Sequence, residues 1–332
     1  MSAHLQAHPH RLTYILANVV VPPQYIEYFF THPTVRRAYD RMKSVEPFTA
    51  EFPALPGGTL EITGRTDIGL IRDHNEDSFL FGDLVSGKYV NQNDAGSLRA
   101  EAVPAMLMVA DGVGGAASGE IASAMATTIA YDYLRDRWQR GGLRGTVIVA
   151  DALQQALFAA NKAIHAHARQ DRSHHGMGTT ATLALAVKGL IYFAQVGDSR
   201  AYIVRGGLAT QLTKDQSLVQ RMVDAGKMTR EQAERSEHRN IILQALGPEE
   251  AVVPELTRDR LQNGDVVVLC SDGLSNQVSS AEIARMTSDH TNLDELCAAL
   301  VDRALETGAP DNVTVVAARF ITHMGDEEQA EA

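Results

Sequence analysis

Three apolar runs in this chain each close on an aspartate: MLMVADG on Asp111, IYFAQVGDSR on Asp198 and VVVLCSDG on Asp272. Runs of this length and apolarity read as strands buried in a sheet, and an acid at the end of each puts charge where the sheet meets solvent. Taken singly, Asp-Gly after a strand is a turn. The repetition asks for a sheet-rich fold that carries several acids to its strand ends. In VPAMLMVADGVGG, Val103 to Gly115, the strand Met106 to Ala110 hands Asp111 to a tight turn. Gly112 then lets the backbone come close enough to a ligand for its carbonyl and Asp111 to reach one ion.

The rest of the chain supplies elements around these runs. Leu60 to Thr66 and Ser78 to Phe81 have strand character, and the loop between them carries Arg72, Asn75, Glu76 and Asp77, either as a solvated turn or as a binding loop. Gly82 to Ala102 is polar and reads as a surface excursion. Ser118 to Trp138 has helical spacing in Ile121, Met125, Ile129 and Tyr133, with Ser118 as its N-cap, and a second helix runs from about Thr146 to Arg169. Lys188-Gly189 and Gly206-Gly207 mark two hairpins, whose strands are therefore antiparallel. Lys214 to Gly247 is polar and expected to be mostly helical, a lid or an insertion. Beyond the strand Asp265 to Cys270, helices are expected over Ser280 to Thr287 and Leu293 to Thr307. The segment GAPDN then sets Asp311 just before the strand Val313 to Phe320.

Composition bounds the classes of function. The 332 residues, 45% of them hydrophobic, suffice for one large domain with additions. That domain is expected over 59–321, with 214–247 as a flap inside it, a partly helical extension over 1–58 and an acidic disordered tail over 322–332. In the extension, short helices are expected from Pro22 to Met42, and His4, His8 and His10 form either a solvated tail or a metal chelator. A formal charge of −11 argues against nonspecific binding to nucleic acid or an anionic membrane and favours cations near clustered acids. Cys270 and Cys297 make neither a disulfide framework nor a zinc spacing, and no run reaches the roughly 20 apolar residues of a membrane span, so the expected compartment is the cytoplasm.

The motifs RDHNED at Arg72 to Asp77, DGVGG at Asp111 to Gly115, GMGTT at Gly176 to Thr180, GDSR at Gly197 to Arg200, SDG at Ser271 to Gly273 and DN at Asp311-Asn312 follow one another in this order. Together they resemble the metal-dependent protein phosphatases of the PPM, or type 2C, family, and its bacterial branch most closely, over about residues 60 to 321. The resemblance implies an α+β fold, a four-layer α-β-β-α sandwich of two antiparallel sheets flanked by helix pairs. It also implies hydrolysis of phosphoserine and phosphothreonine by a hydroxide shared between two divalent ions, in opposition to bacterial Ser/Thr kinases. Hard carboxylates without clustered cysteine or histidine favour Mn²⁺ or Mg²⁺ over zinc, and the resemblance implies two to three such ions. By resemblance Asp111 bridges two ions with the Gly112 carbonyl on one of them, Asp272 and Asp311 hold the other, and Glu76 and Asp77 act close by, partly through waters. Arg72 matches the phosphate-binding arginine, whose planar fork suits two phosphoryl oxygens; a structural ion pair with a nearby acid is its other reading. Asp198 corresponds to an aspartate that helps bind a third ion together with Asp272, against a plain hairpin-turn role.

Some positions depart from the family pattern. Val113 stands where some members carry a histidine, so it cannot protonate the leaving alkoxide, and the expectation is that a water held through Asp198 does so. Gln216 stands where relatives often show histidine, and the resemblance does not reach residues 1–58. The competing readings are a catalytically silent module that binds phosphoproteins and a metal phosphoesterase for small molecules or nucleotides.

Overall fold

The computed structural model describes residues 14–16, 19–21, 58–94, 96–100, 104–114, 116–143, 146–170 and 172–322. The chain divides into two compact units, Met1–Glu51 and Phe52–Ala332. In the first, β1 (Tyr14–Leu16) and β2 (Val19–Val21) pair antiparallel. The helices expected from Pro22 to Met42, the histidines His4, His8 and His10 and the acidic tail after His323 lie outside the described residues.

In the second unit the strands are β3 (Gly58–Asp67), β4 (Asp77–Asp83), β5 (Tyr89–Asn91), β6 (Ser97–Ala100), β7 (Ala105–Val113), β8 (Gly178–Thr179), β9 (Ala181–Val187), β10 (Leu190–Val196), β11 (Arg200–Arg205), β12 (Leu208–Gln211), β13 (Glu255–Arg260), β14 (Val266–Cys270) and β15 (Val313–Thr322). The helices are α1 (Ala116–Gln139), α2 (Thr146–Gln170), α3 (Leu218–Asp224), α4 (Arg230–Glu234), α5 (Asp272–Ser275), α6 (Ser280–Asp289) and α7 (Leu293–Glu306). One sheet has seven strands, ordered β13-β10-β9-β7-β4-β5 with β8 on β7, and the other has six, ordered β12-β11-β14-β15-β3-β6. Every pairing in both is antiparallel. Helices α1 and α2 pack on the first sheet, and α6 and α7 on the second. The fold is the α+β sandwich that the sequence leads one to expect.

The alternation of side chains along a strand explains why the apolar runs are continuous and where their acids point. On β7, Ala105, Leu107 and Val109 enter the core between the sheets, while Met106, Met108 and Ala110 are buried on the opposite face. On β14, Val267 and Leu269 enter the same core, whereas Val266, Val268 and Cys270 join a second core under α6 and α7. Both faces of these strands are covered, so the sequence shows no polar alternation. Continuing the period, Asp111, Asp77 and Ser271 fall on the inner parity, at one end of the space between the sheets. Each large side chain buried inward of them contributes about 1.5–3 kcal/mol. Several in a row outweigh the few kcal/mol that a partly desolvated carboxylate costs.

The structure corrects several expectations. Strand β7 continues through Asp111 and Gly112 to Val113, so Asp111 is a strand residue rather than part of a tight turn. Its neighbour β8 pairs with Gly112 and Val113 and keeps the segment extended. Ser118 lies inside α1 instead of capping it, and its hydroxyl donates to the Ser173 carbonyl at 3.2 Å. Gly82 to Ala102 contributes two edge strands, β5 and β6, one to each sheet. Lys214 to Gly247 contains only the short helices α3 and α4, with irregular chain around them. Strand β13, over the charged segment ELTRDR, had no apolar signature because it is a sheet edge with no fully buried side chain. The hairpin at Lys188-Gly189 forms as expected, both residues having positive φ, 51° and 70°.

Candidate metal centre

The antiparallel register of β4 and β7 sets Asp77 directly opposite Asp111. Like charges across a non-covalent pair destabilise a sheet unless something neutralises them. Asp77 is buried; Ser271 donates its hydroxyl to Asp77 Oδ2 at 2.7 Å, and Asp77 Oδ1 is buried with no hydrogen-bond partner. Burial, then the charges of Asp272 and Asp311, push Asp77 up to about 7 against the pull of the Thr314 and Ser271 hydroxyls. Asp111 is raised well above the usual carboxylate range by burial and by Asp77, Asp272, Asp198 and Asp311.

The other sheet brings the remaining acids. Strand β14 ends at Cys270, and Ser271 precedes the short helix α5, whose first residue is Asp272. The Asp272 carboxyl is raised by burial and by Asp311, and accepts the Asn276 amide at 3.1 Å. Asp311 sits two residues ahead of β15, which begins at Val313, and pairs with the Arg72 guanidinium at 2.7 Å. Asp198, in the loop between β10 and β11, is buried and pushed up to about 8, first by desolvation and then by Asp272 and Asp215. Glu76, raised by burial against the pull of Arg72, lies with Oε2 against Gly119 in the first turns of α1.

Gly112 is the close approach of the site: a Cβ there would collide with the Gly119 backbone and the Glu76 carbonyl, which also accepts the Gly112 N–H at 3.1 Å. Thus every site residue expected from the sequence, Arg72, Glu76, Asp77, Asp111, Gly112, Asp198, Asp272 and Asp311, comes to this one end of the sandwich. Among the described residues no three of the acids are drawn into a tight cage. They lie within one another's electrostatic field, and Arg72 is paired with Asp311.

Several organising residues carried little signal of their own. Asn312 accepts the Glu76 N–H on Oδ1 at 2.8 Å and donates to the Ile68 and His74 carbonyls at 2.9 Å, tying the RDHNED loop to β15. Thr180 accepts the Asp111 N–H at 2.9 Å and exchanges a hydroxyl bond with Ser199 at 2.7 Å. Asp215 grips Arg200 through both carboxylate oxygens. Gln216 accepts the Gly197 N–H at 3.0 Å and donates to the Val253 carbonyl, stapling the Asp198 loop. The parity of β14 could have pointed to Ser271; nothing local pointed to Arg239. It lines, with Arg72, Asn240, Asp272, Asn276 and Asp311, a cavity of about 150 Å³ beside the acids.

The donor set is all oxygen and hard. Asp77 Oδ1 is buried with no partner, and burial and mutual charge raise Asp77, Asp111, Asp198 and Asp272 above the usual carboxylate range. Both features fit divalent cations that prefer oxygen, such as Mg²⁺ and Mn²⁺, in place of protons. Arginines and acids around one cavity fit a phosphoryl group bound beside them.

The family model described as Protein phosphatase 2C matches residues 85–309. Serine/threonine phosphatase stp of Listeria innocua is 33% identical over 253 residues, which cover 76% of this chain and 92% of that protein. Serine/threonine protein phosphatase PstP of Mycobacterium tuberculosis is 36% identical over 264 residues, 80% of this chain but only 46% of that protein. The crystal structure of the PstP catalytic domain in complex with two manganese ions superposes with a TM-score of 0.64 at 35% identity, covering 80% of this chain and 99% of that one.

Proposed function

The chain belongs to the protein phosphatase 2C family, and from that premise we infer that it is a metal-dependent phosphatase of phosphoserine and phosphothreonine in proteins. The observation that carries the reading is the convergence of Asp77, Asp111, Asp272 and Asp311, from both sheets, on one sandwich end next to Arg72. Hydrolysis of a phosphate monoester is among the slowest uncatalysed reactions, so charge neutralisation and water activation must act together. Two Mn²⁺ or Mg²⁺ ions supply both when bound.

In this reading Asp111, the Gly112 carbonyl, Asp272 and Asp311 would hold the ions, and Glu76 and Asp77 would act close by, partly through waters. Asp198, with Asp272, would hold a third ion if one is bound. Arg72 releases Asp311 to bind phosphoryl oxygens; at half exposure its pair with Asp311 is worth little, so the exchange costs little. Val113 is apolar and has no proton to give, and the reading assigns the leaving group's proton to a water held through Asp198. The substrates are phosphoproteins made by Ser/Thr kinases, and the compartment is the cytoplasm. The free, buried cysteines are compatible with a reducing compartment, and among the described residues no helix is long and apolar enough to cross a membrane.

The test is turnover of a phosphothreonine peptide with and without manganese, for the full chain and for Asp272→Asn and Asp311→Asn. The chain should turn over only with the metal, and each variant should lose at least about 10²-fold in kcat while keeping its circular dichroism. Near-normal rates in the variants would defeat the site assignment. Peptide binding without turnover would make the chain a silent phosphoprotein module, and turnover of free nucleotides alone would make it a small-molecule esterase.

A further inference from the structure

Five of the nine exposed large apolar side chains among the described residues, Ile68, Leu70, Ile71, Ile241 and Leu243, fall in two short segments. One segment leads into Arg72 and the other follows Arg239 and Asn240, and Arg72, Arg239 and Asn240 all line the cavity beside the acids. Isolated apolar side chains on a surface are ordinary, but clusters concentrated at the rim of a charged cavity mark a binding site.

Both segments are fixed by their backbones. The Leu70 N–H donates to the Ala309 carbonyl at 3.0 Å, holding the first against the loop ahead of β15. In the second, Ile242 bridges Ser217 as in a strand, the Ile241 carbonyl accepts the Leu218 N–H at 2.8 Å, and the Leu243 N–H donates to Gln216 at 2.7 Å. Extended chain puts alternate residues on one side, so Ile241 and Leu243 share a face and Ile242 takes the other. Exposure agrees: Ile241 and Leu243 are 44% and 42% exposed, while Ile242 is partly covered.

The charges of the cavity are asymmetric. Arg72 already has Asp311 at 2.7 Å. Arg239 makes no close ion pair among the described residues; its guanidinium reaches the Glu234 carbonyl at 3.4 Å and its charge acts on Asp272. A dianionic phosphoryl group entering the cavity therefore meets one cation already in a close ion pair and one that makes no close ion pair, only a long bond to a carbonyl and a field felt at Asp272. The cavity, at about 150 Å³, exceeds many times the ~10–15 Å³ that admits a single water, so a phosphoryl group enters with part of its hydration.

We propose that residues 70–72 and 239–243 are the two lips of the substrate groove, and that it selects phosphopeptides with bulky apolar residues flanking the phosphoresidue. Arg239 binds the phosphoryl group, and Leu70, Ile71, Ile241 and Leu243 cover the flanking side chains. This rests on the phosphatase reading and adds the substrate class to it. The occupant is a peptide because the apolar residues lie outside the cavity on both lips, beyond the reach of a small phosphate ester.

The full chain with manganese is assayed on p-nitrophenyl phosphate and on two phosphothreonine peptides of equal length, one flanked by leucine or isoleucine and the other by serine. Burial of flanking side chains predicts a kcat/KM on the order of 10-fold or more in favour of the apolar peptide. Leu70→Ser with Ile71→Ser, and separately Ile241→Ser with Leu243→Ser, should remove most of that preference through KM and leave the aryl phosphate rate unchanged. Arg239→Ala should raise KM for all three compounds, and Arg239→Lys should restore part of it. Equal kcat/KM on the two peptides, alongside metal-dependent turnover of both, overturns the groove and leaves the phosphatase reading intact. Loss of all three activities alike in the lip variants also overturns it, and no metal-dependent turnover of any compound removes both.

Discussion

Asp198 separates the two ways a residue can serve this site. Its carboxyl is buried, lies within the field of Asp272 and Asp215, and is held at about 8, so it retains a proton near neutrality when no cation is present. The loop that carries it is stapled by Gln216 and by the Thr180–Ser199 pair, which makes its position a property of the fold. If the Asp198 side supplies the proton that a serine or threonine alkoxide needs on leaving, Asp198→Ala should depress turnover of a phosphothreonine peptide far more than that of p-nitrophenyl phosphate. The expected gap is about 10²-fold or more, the usual size of a general-acid contribution, because an aryl oxide leaves unprotonated. Parallel losses on both substrates in steady-state assays would reduce Asp198 to a structural turn residue.

Among the elements, the end of β7 does the positioning. Gly112 passes between the Gly119 backbone and the Glu76 carbonyl with no room for a Cβ, and that contact fixes the distance from Asp111 to the Glu76 loop. Gly112→Ala should therefore keep the sandwich, seen as an unchanged far-ultraviolet spectrum, and lose on the order of 10²-fold in kcat, the cost of about 1 Å of misplacement. A variant as fast as the parent would show that the strand end has slack. The same strand shows what the sequence discloses and what it hides. Its apolar run and terminal acid were legible because burial on both faces leaves a period-free signal, and the hairpins were legible because Lys188-Gly189 and Gly206-Gly207 are turn chemistry. What was hidden depended on partners far along the chain. Strand β7 outruns its apolar run because β8 pairs with it, the edge strands β13 and β5 have no fully buried side chain and β6 has only Ala100, and α3 and α4 are single short helices in a segment whose polar composition suggested more. The acids were legible one by one, whereas Asn312, Thr180 and Arg239 gain meaning only from what the fold sets beside them.

At the scale of the whole molecule, the centre is a store of like charge that the fold holds together. In an unfolded chain these aspartates titrate near 3.9, while folding raises Asp77 to about 7 and Asp198 to about 8, with Asp111 and Asp272 shifted the same way. Between those limits the folded, metal-free protein keeps protons that the unfolded chain has released. The stability gained from them is complete below about pH 4 and is lost as the pH rises through 7 to 8. Chelated protein should accordingly melt at a lower temperature at pH 8.5 than at pH 6, a slope opposite to that of a protein whose acids sit in salt bridges. Manganese displaces the same protons, so it should bind more tightly as the pH rises, and it should stabilise most at the alkaline end. At about a hundred times its dissociation constant it contributes about 2.7 kcal/mol, or roughly 5–10 °C for a domain of this size. Scanning calorimetry with and without metal at the two pH values measures both slopes, and Asp77→Asn should flatten the metal-free one. A chelated protein that grows more stable from pH 6 to pH 8.5 would mean that the acids do not share one buried space, and the metal centre would have to be sought elsewhere in the molecule.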